Sequence, residues 1–83
     1  MGSKLRTEGK LAAYERGLDY YPGPRYAAKL AFAYYKEGKR NKNFIWKLYY
    51  MESAQQIAQF YLEKYPKDKE LSKVYVQDSH QLN

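Results

Sequence analysis

The chain has 83 residues, with 15 Lys and Arg against 9 Asp and Glu for a net charge of +6, no cysteine, one histidine and 11 tyrosines. A chain this short holds one core and cannot enclose a cleft between two domains. The absence of cysteine removes disulfide frameworks, thiolate zinc sites, iron–sulfur clusters and cysteine nucleophiles together.

No run approaches the roughly 20 apolar residues of a membrane span; the densest, Tyr26 to Tyr35, contains Lys29. The opening Met1-Gly2-Ser3-Lys4-Leu5-Arg6 lacks an apolar signal core, and Arg6 stands where a myristoylation motif needs Ser or Thr. A cytoplasmic protein is therefore expected. Ile, Leu and Val number only 12, so the interior must be built largely from alanine, leucine and aromatic rings, and tyrosine needs a partner or water at its hydroxyl.

Helical spacing dominates. Leu11, Tyr14, Leu18 and Tyr21 recur at three- and four-residue intervals, which predicts a first helix over 4–20 with these residues on one face. Pro22-Gly23-Pro24 ends it, and Pro24 suits the first turn of a second helix over 24–37. That helix is apolar at nearly every position from Tyr26 to Tyr35 and carries Ala27, Ala28, Ala31 and Ala33, so it is expected at the centre with neighbours on several sides. Gly38 is read as its left-handed cap.

A third helix is expected over 43–65. Its second half has a polar stripe of Glu52, Gln55, Gln56, Gln59 and Glu63, leaving Met51, Ala54, Ala58, Tyr61 and Tyr65 inward. In its first half Phe44, Ile45, Trp46, Leu48, Tyr49, Tyr50 and Met51 point in every direction, more apolar surface than a small domain can cover. Pro66 stops this helix. Asp68 can cap a short fourth one over 68–76 with Leu71, Val74 and Tyr75 as apolar points, and 77–83 reads as a frayed tail. The fold class is all-α: a small antiparallel bundle of three long helices and a short C-terminal one, in a single domain spanning 1–83.

Tyr14-Glu15-Arg16-Gly17-Leu18-Asp19-Tyr20-Tyr21-Pro22 echoes Ala58-Gln59-Phe60-Tyr61-Leu62-Glu63-Lys64-Tyr65-Pro66, matching leucine, acid, tyrosine and proline. Between them Leu30-Ala31-x-x-Tyr34 is followed by Gly38. On these residues, from about Tyr14 to Pro66, the chain resembles the tetratricopeptide repeat family, whose first helix carries Leu-Gly-x-x-Tyr and whose second ends in proline. Ala27 stands where the motif opens on a large residue, Tyr61 takes a place kept small, and the repeat is longer than the family's. The resemblance implies a protein-binding module without catalysis.

The sequence offers little for chemistry. His80 is the sole histidine, so imidazoles cannot assemble a metal site, and the carboxylates lack calcium-loop spacing. Asp78-Ser79-His80 are adjacent, which does not place a nucleophile, base and orienting acid in one line. The glycines form no phosphate-binding pattern. No enzyme activity and no cofactor or metal are expected.

Charge is uneven: up to Lys47 the balance is +7, and beyond it −1. The densest piece, Lys36-Glu37-Gly38-Lys39-Arg40-Asn41-Lys42-Asn43, abuts the aromatic surplus. The expected function is a small adaptor or inhibitor docking an aromatic, basic face on an acidic-surfaced partner protein, as a phage or plasmid modulator of a larger machine would. Arg16, Arg25, Lys39, Arg40, Lys42, Phe44, Trp46, Lys47, Tyr49 and Tyr50 are the expected contacts, since Trp, Tyr and Arg dominate interface energetics. The alternative is nucleic-acid binding, with Lys36, Lys39, Arg40, Lys42 and Lys47 on phosphates and Phe44 or Trp46 stacking. A homodimer burying the same rings is a third reading.

Overall fold

The computed structural model describes the backbone of residues 2–82 and the side chains of 9–82. Four helices follow one another: α1 (Gly2–Tyr20), α2 (Pro24–Arg40), α3 (Phe44–Lys64) and α4 (Lys69–Leu82), with no strand among the described residues. The chain is a small all-α bundle. No described helix is long and apolar enough to cross a membrane.

Local chemistry sets the breaks. Pro24 opens α2, where its missing N–H costs nothing. In the basic turn both asparagines serve the backbone. The Asn41 side-chain oxygen accepts from the Asn43 N–H at 2.9 Å, and that of Asn43 accepts from the N–H groups of Ile45 and Trp46 at 3.0 and 3.1 Å. They thus satisfy donors that the first turn of α3 would otherwise leave orphaned. Asp68 does the same for α4, accepting from the Leu71 N–H at 2.9 Å.

α2 is the centre, packing against all three other helices. α3 also packs on α4, while among the described residues α1 packs on α2 only. Ala27, Ala31, Ala54 and Ala58 are fully buried at these contacts and let the backbones approach, with Met51, Leu71 and Val74 as the large apolar fillers. Each of the larger side chains stabilises the fold by about 1.5–3 kcal/mol relative to exposure. The molecule measures 36 × 31 × 15 Å, and the thin dimension accommodates two helix layers at the usual spacing of about 10 Å.

Several expectations are corrected. Gly38 does not cap α2; the helix continues to Arg40, and Gly23 is the positive-φ glycine of the described chain. Instead α3 crosses over Gly38. A β-carbon there would lie 3.0 Å from Met51 Cγ and 3.2 Å from the Lys47 carbonyl oxygen, so the position needs glycine for close approach. Residues 77–82, expected to fray, are helical, and α4 runs to Leu82 rather than ending at 76, because Asp78 and Leu82 extend the inward stripe of Leu71 and Val74; Asn83 lies outside the described residues. Tyr20 and Tyr21 are both exposed; Tyr21 lies outside α1 and stacks on Tyr26 at 6.1 Å. Tyr65, past the end of α3, is exposed as well.

Candidate functional site

Residues of α2 repeat at four- and three-residue intervals as Arg25, Lys29, Phe32, Lys36 and Lys39, all on one exposed stripe. Such spacing keeps side chains on one side of a helix. Next to the stripe, between α2 and α4, are two hollows of about 380 and 470 Å³ that share Phe32 and Gln77. The first is lined by Arg25, Lys29, Lys73 and Val74 with Asp68 and Glu70 at its end. The second is lined by Tyr35, Lys36, Lys39 and Arg40. Together they form one basic cleft, of order 20 Å from Arg25 to Lys39 at 1.5 Å per residue.

The three α2 lysines of this cleft lean on rings. Lys36 Nζ is 5.5 Å from the centre of the Phe32 ring, Lys39 Nζ is 5.7 Å from that of Tyr35, and Lys29 Nζ is 5.5 Å from that of Tyr26. Among the described residues no carboxylate forms an ion pair with any of them. Cation–π contact holds each head in place without neutralising it, so the positive field faces outward.

A second feature occupies the opposite side of α2. Tyr34 is two residues beyond Phe32, which turns its side chain by about 200°. It faces a groove of about 280 Å³ between α1 and α3, lined by Leu11, Ala12, Glu15, Trp46, Tyr49 and Tyr50. Ring centres lie close: Tyr34–Tyr50 at 6.0 Å, Trp46–Tyr50 at 6.1 Å, Trp46–Tyr49 at 5.7 Å and Tyr49–Tyr50 at 5.3 Å. Tyr34 donates its hydroxyl hydrogen to Glu15 Oε1 at 2.7 Å. Burial first, then the Glu15 hydrogen bond and charge, raise the Tyr34 ionisation well above the ordinary tyrosine range. Outside this groove Phe44, Ile45 and Leu48 also stand exposed, Ile45 by 75%, so no described helix covers the apolar surplus of early α3.

The expected single face is therefore two. Arg25, Lys39 and Arg40 belong to the cleft, whereas Trp46, Tyr49 and Tyr50 belong to the groove. Lys42 and Phe44 are exposed around the α2–α3 turn, Lys47 is half-buried, and Arg16 is exposed on α1 one residue past Glu15. Sequence reasoning left out Lys29, Phe32, Lys73 and Gln77 from the cleft and Glu15 and Tyr34 from the groove. The 4-3-4-3 spacing of the stripe could have found the α2 members; the contributions of α4 and α1 depend on tertiary packing.

Asp78 is 0% exposed, and neither carboxylate oxygen has a hydrogen-bond partner; the neighbouring Gln77 Oε1 is likewise buried without one. Desolvation pushes the Asp78 carboxyl up to about 6. Ser79 Oγ instead accepts from Gln55 Nε2 at 3.2 Å, and His80 is exposed. The three adjacent residues thus face three directions of α4 and do not converge. Among the described residues no cluster of His, Asp or Glu could hold a metal ion.

Comparison with protein families, curated proteins and solved structures yields no match.

Proposed function

We propose that this chain is a small non-enzymatic adaptor or inhibitor that docks on an acidic surface of a larger partner protein through the basic cleft between α2 and α4. The observation that carries the reading is the Arg25, Lys29, Lys36, Lys39 stripe: cations without carboxylate partners among the described residues, flanking Phe32 and two open hollows. Apolar hollows give a ligand's side chains somewhere to bury, while the cations select its charge and accelerate encounter. Asp68 and Glu70 at one end favour a ligand whose own acids lie toward Lys36, Lys39 and Arg40.

The helix order supports a repeat-like scaffold. Each helix packs on the next and α2 packs on α4, the nearest-neighbour pattern by which helical repeats stack and present an extended binding face. The nucleic-acid alternative loses Trp46 as a stacking partner for Lys36 and Lys39, since Trp46 lies across α2 from them; Phe32 in the cleft would have to take that role.

Capture from extracts of the source cell with and without nuclease treatment, by the full chain and by a Lys36→Glu/Lys39→Glu variant, tests the reading. A protein retained by the first and lost with the second is expected. Retention by both would remove the cleft from the function, and capture abolished by nuclease alone would assign it to nucleic acid.

A further inference from the structure

The groove between α1 and α3 has a chemistry of its own, opposite in sign to that of the cleft. Its walls are the faces and edges of Tyr34, Trp46, Tyr49 and Tyr50, and its acid is Glu15. Aromatic faces carry negative quadrupole potential, and a carboxylate beside them adds a full charge. Glu15 uses Oε1 to accept from Tyr34, which fixes the carboxylate against the rings, and an ionised carboxylate retains acceptor sites beyond that one. Tyr34 stays a neutral hydroxyl at every physiological pH, so the floor gains no second negative charge and the groove accepts one cation. Trp46 is 53% exposed and Tyr49 51% exposed, leaving ring surface open to stacking.

We propose that this groove binds the guanidinium of an arginine side chain on a partner protein, stacked on Trp46 and Tyr49 and paired with Glu15. A planar guanidinium is weakly hydrated, stacks on aromatic faces and forms charge-assisted hydrogen bonds to carboxylate, whereas a compact ammonium is strongly hydrated and cannot lie flat in a shallow groove. The site is separate from the acidic-partner cleft and would let one chain engage two surfaces of opposite charge.

The test uses the full chain and its single tryptophan. The Trp46 indole N–H resonance is followed while a glycine-rich peptide bearing one arginine is added, in parallel with peptides carrying citrulline or lysine at the same place. Saturable shifts are expected with arginine, at least about fivefold weaker with lysine and absent with citrulline, which has the same shape without the charge. Glu15→Gln keeps an acceptor for Tyr34 and so preserves the fold; it should weaken arginine binding about tenfold. Tyr49→Ala, an exposed change, should weaken it as well. Equal response to citrulline, no response to arginine at high millimolar concentration, or undiminished binding by the Glu15→Gln variant would overturn the proposal. None of these outcomes involves Lys36 or Lys39, so the cleft reading stands or falls independently.

Discussion

Tyr34 of α2 and Glu15 of α1 are joined by a hydrogen bond of 2.7 Å, and this bond ties α1 to the centre of the bundle. Among the described residues α1 packs on α2 only, with Leu11 buried and Leu18 against the Ala27, Ala28, Leu71 cluster. Tyr34→Phe should destabilise the fold by about 0.5–1.5 kcal/mol, seen as a lower urea midpoint at neutral pH. The raised Tyr34 ionisation makes this pH-dependent. The folded hydroxyl keeps its proton where the unfolded one, near pH 10, has lost it. Its contribution is therefore complete below about pH 10 and declines as pH rises toward the folded value. The gap between wild type and Tyr34→Phe should shrink on that alkaline side.

Gly38 is a packing residue, and substitution there reads out the α2–α3 crossing. Alanine in a helix interior would ordinarily stabilise by up to about 1 kcal/mol, but here the added atom meets Met51 and the Lys47 carbonyl. Gly38→Val should cost about 1–3 kcal/mol through overpacking and displacement of α3, measured by thermal or urea unfolding. A neutral Gly38→Val would mean that the helices part without cost.

That glycine also shows what a sequence can and cannot reveal. The helix breaks at Pro22-Gly23-Pro24 and Pro66, the cap at Asp68, and the exposed surplus from Phe44 to Tyr49 follow from local chemistry and were legible, whereas Asn43 reads as the first residue of α3 and is its cap. Gly38 was not, because a capping glycine and a packing glycine look alike until Met51 is seen against it. The tail was misread for a similar reason. Asp78 continues the Leu71, Val74 stripe by position, yet a carboxylate signals exposure. The basic stripe of α2 was hidden by the apolar run it threads, and Lys73 and Gln77 joined it only through the packing of α4 on α2.

Asp78 makes acid stability run opposite to the usual trend. Burial raises its carboxyl from 3.8 to about 6, so between those values the folded state binds more protons than the unfolded one. Its contribution therefore makes stability fall as pH rises from about 4 to 6, after which the burial cost is complete. Asp78→Asn removes the charge and should raise stability at pH 7 by on the order of 1–2 kcal/mol, with the gain vanishing below about pH 4. Urea midpoints at four pH values across this range, for both proteins, check the sign. A variant that is less stable than wild type at pH 7 would contradict the assignment.

The central claim is that the exposed stripe of α2 reads acidic protein surface. Its most direct measurement is a backbone and side-chain chemical-shift map of the full chain titrated with an acidic peptide carrying spaced leucines. The account predicts saturable perturbation of Lys29, Phe32, Lys36, Lys39 and Gln77, weakened by salt and by Lys36→Glu/Lys39→Glu, with Trp46 unmoved. Perturbation confined to Trp46, Tyr49 and Tyr50, or no perturbation anywhere, would contradict it.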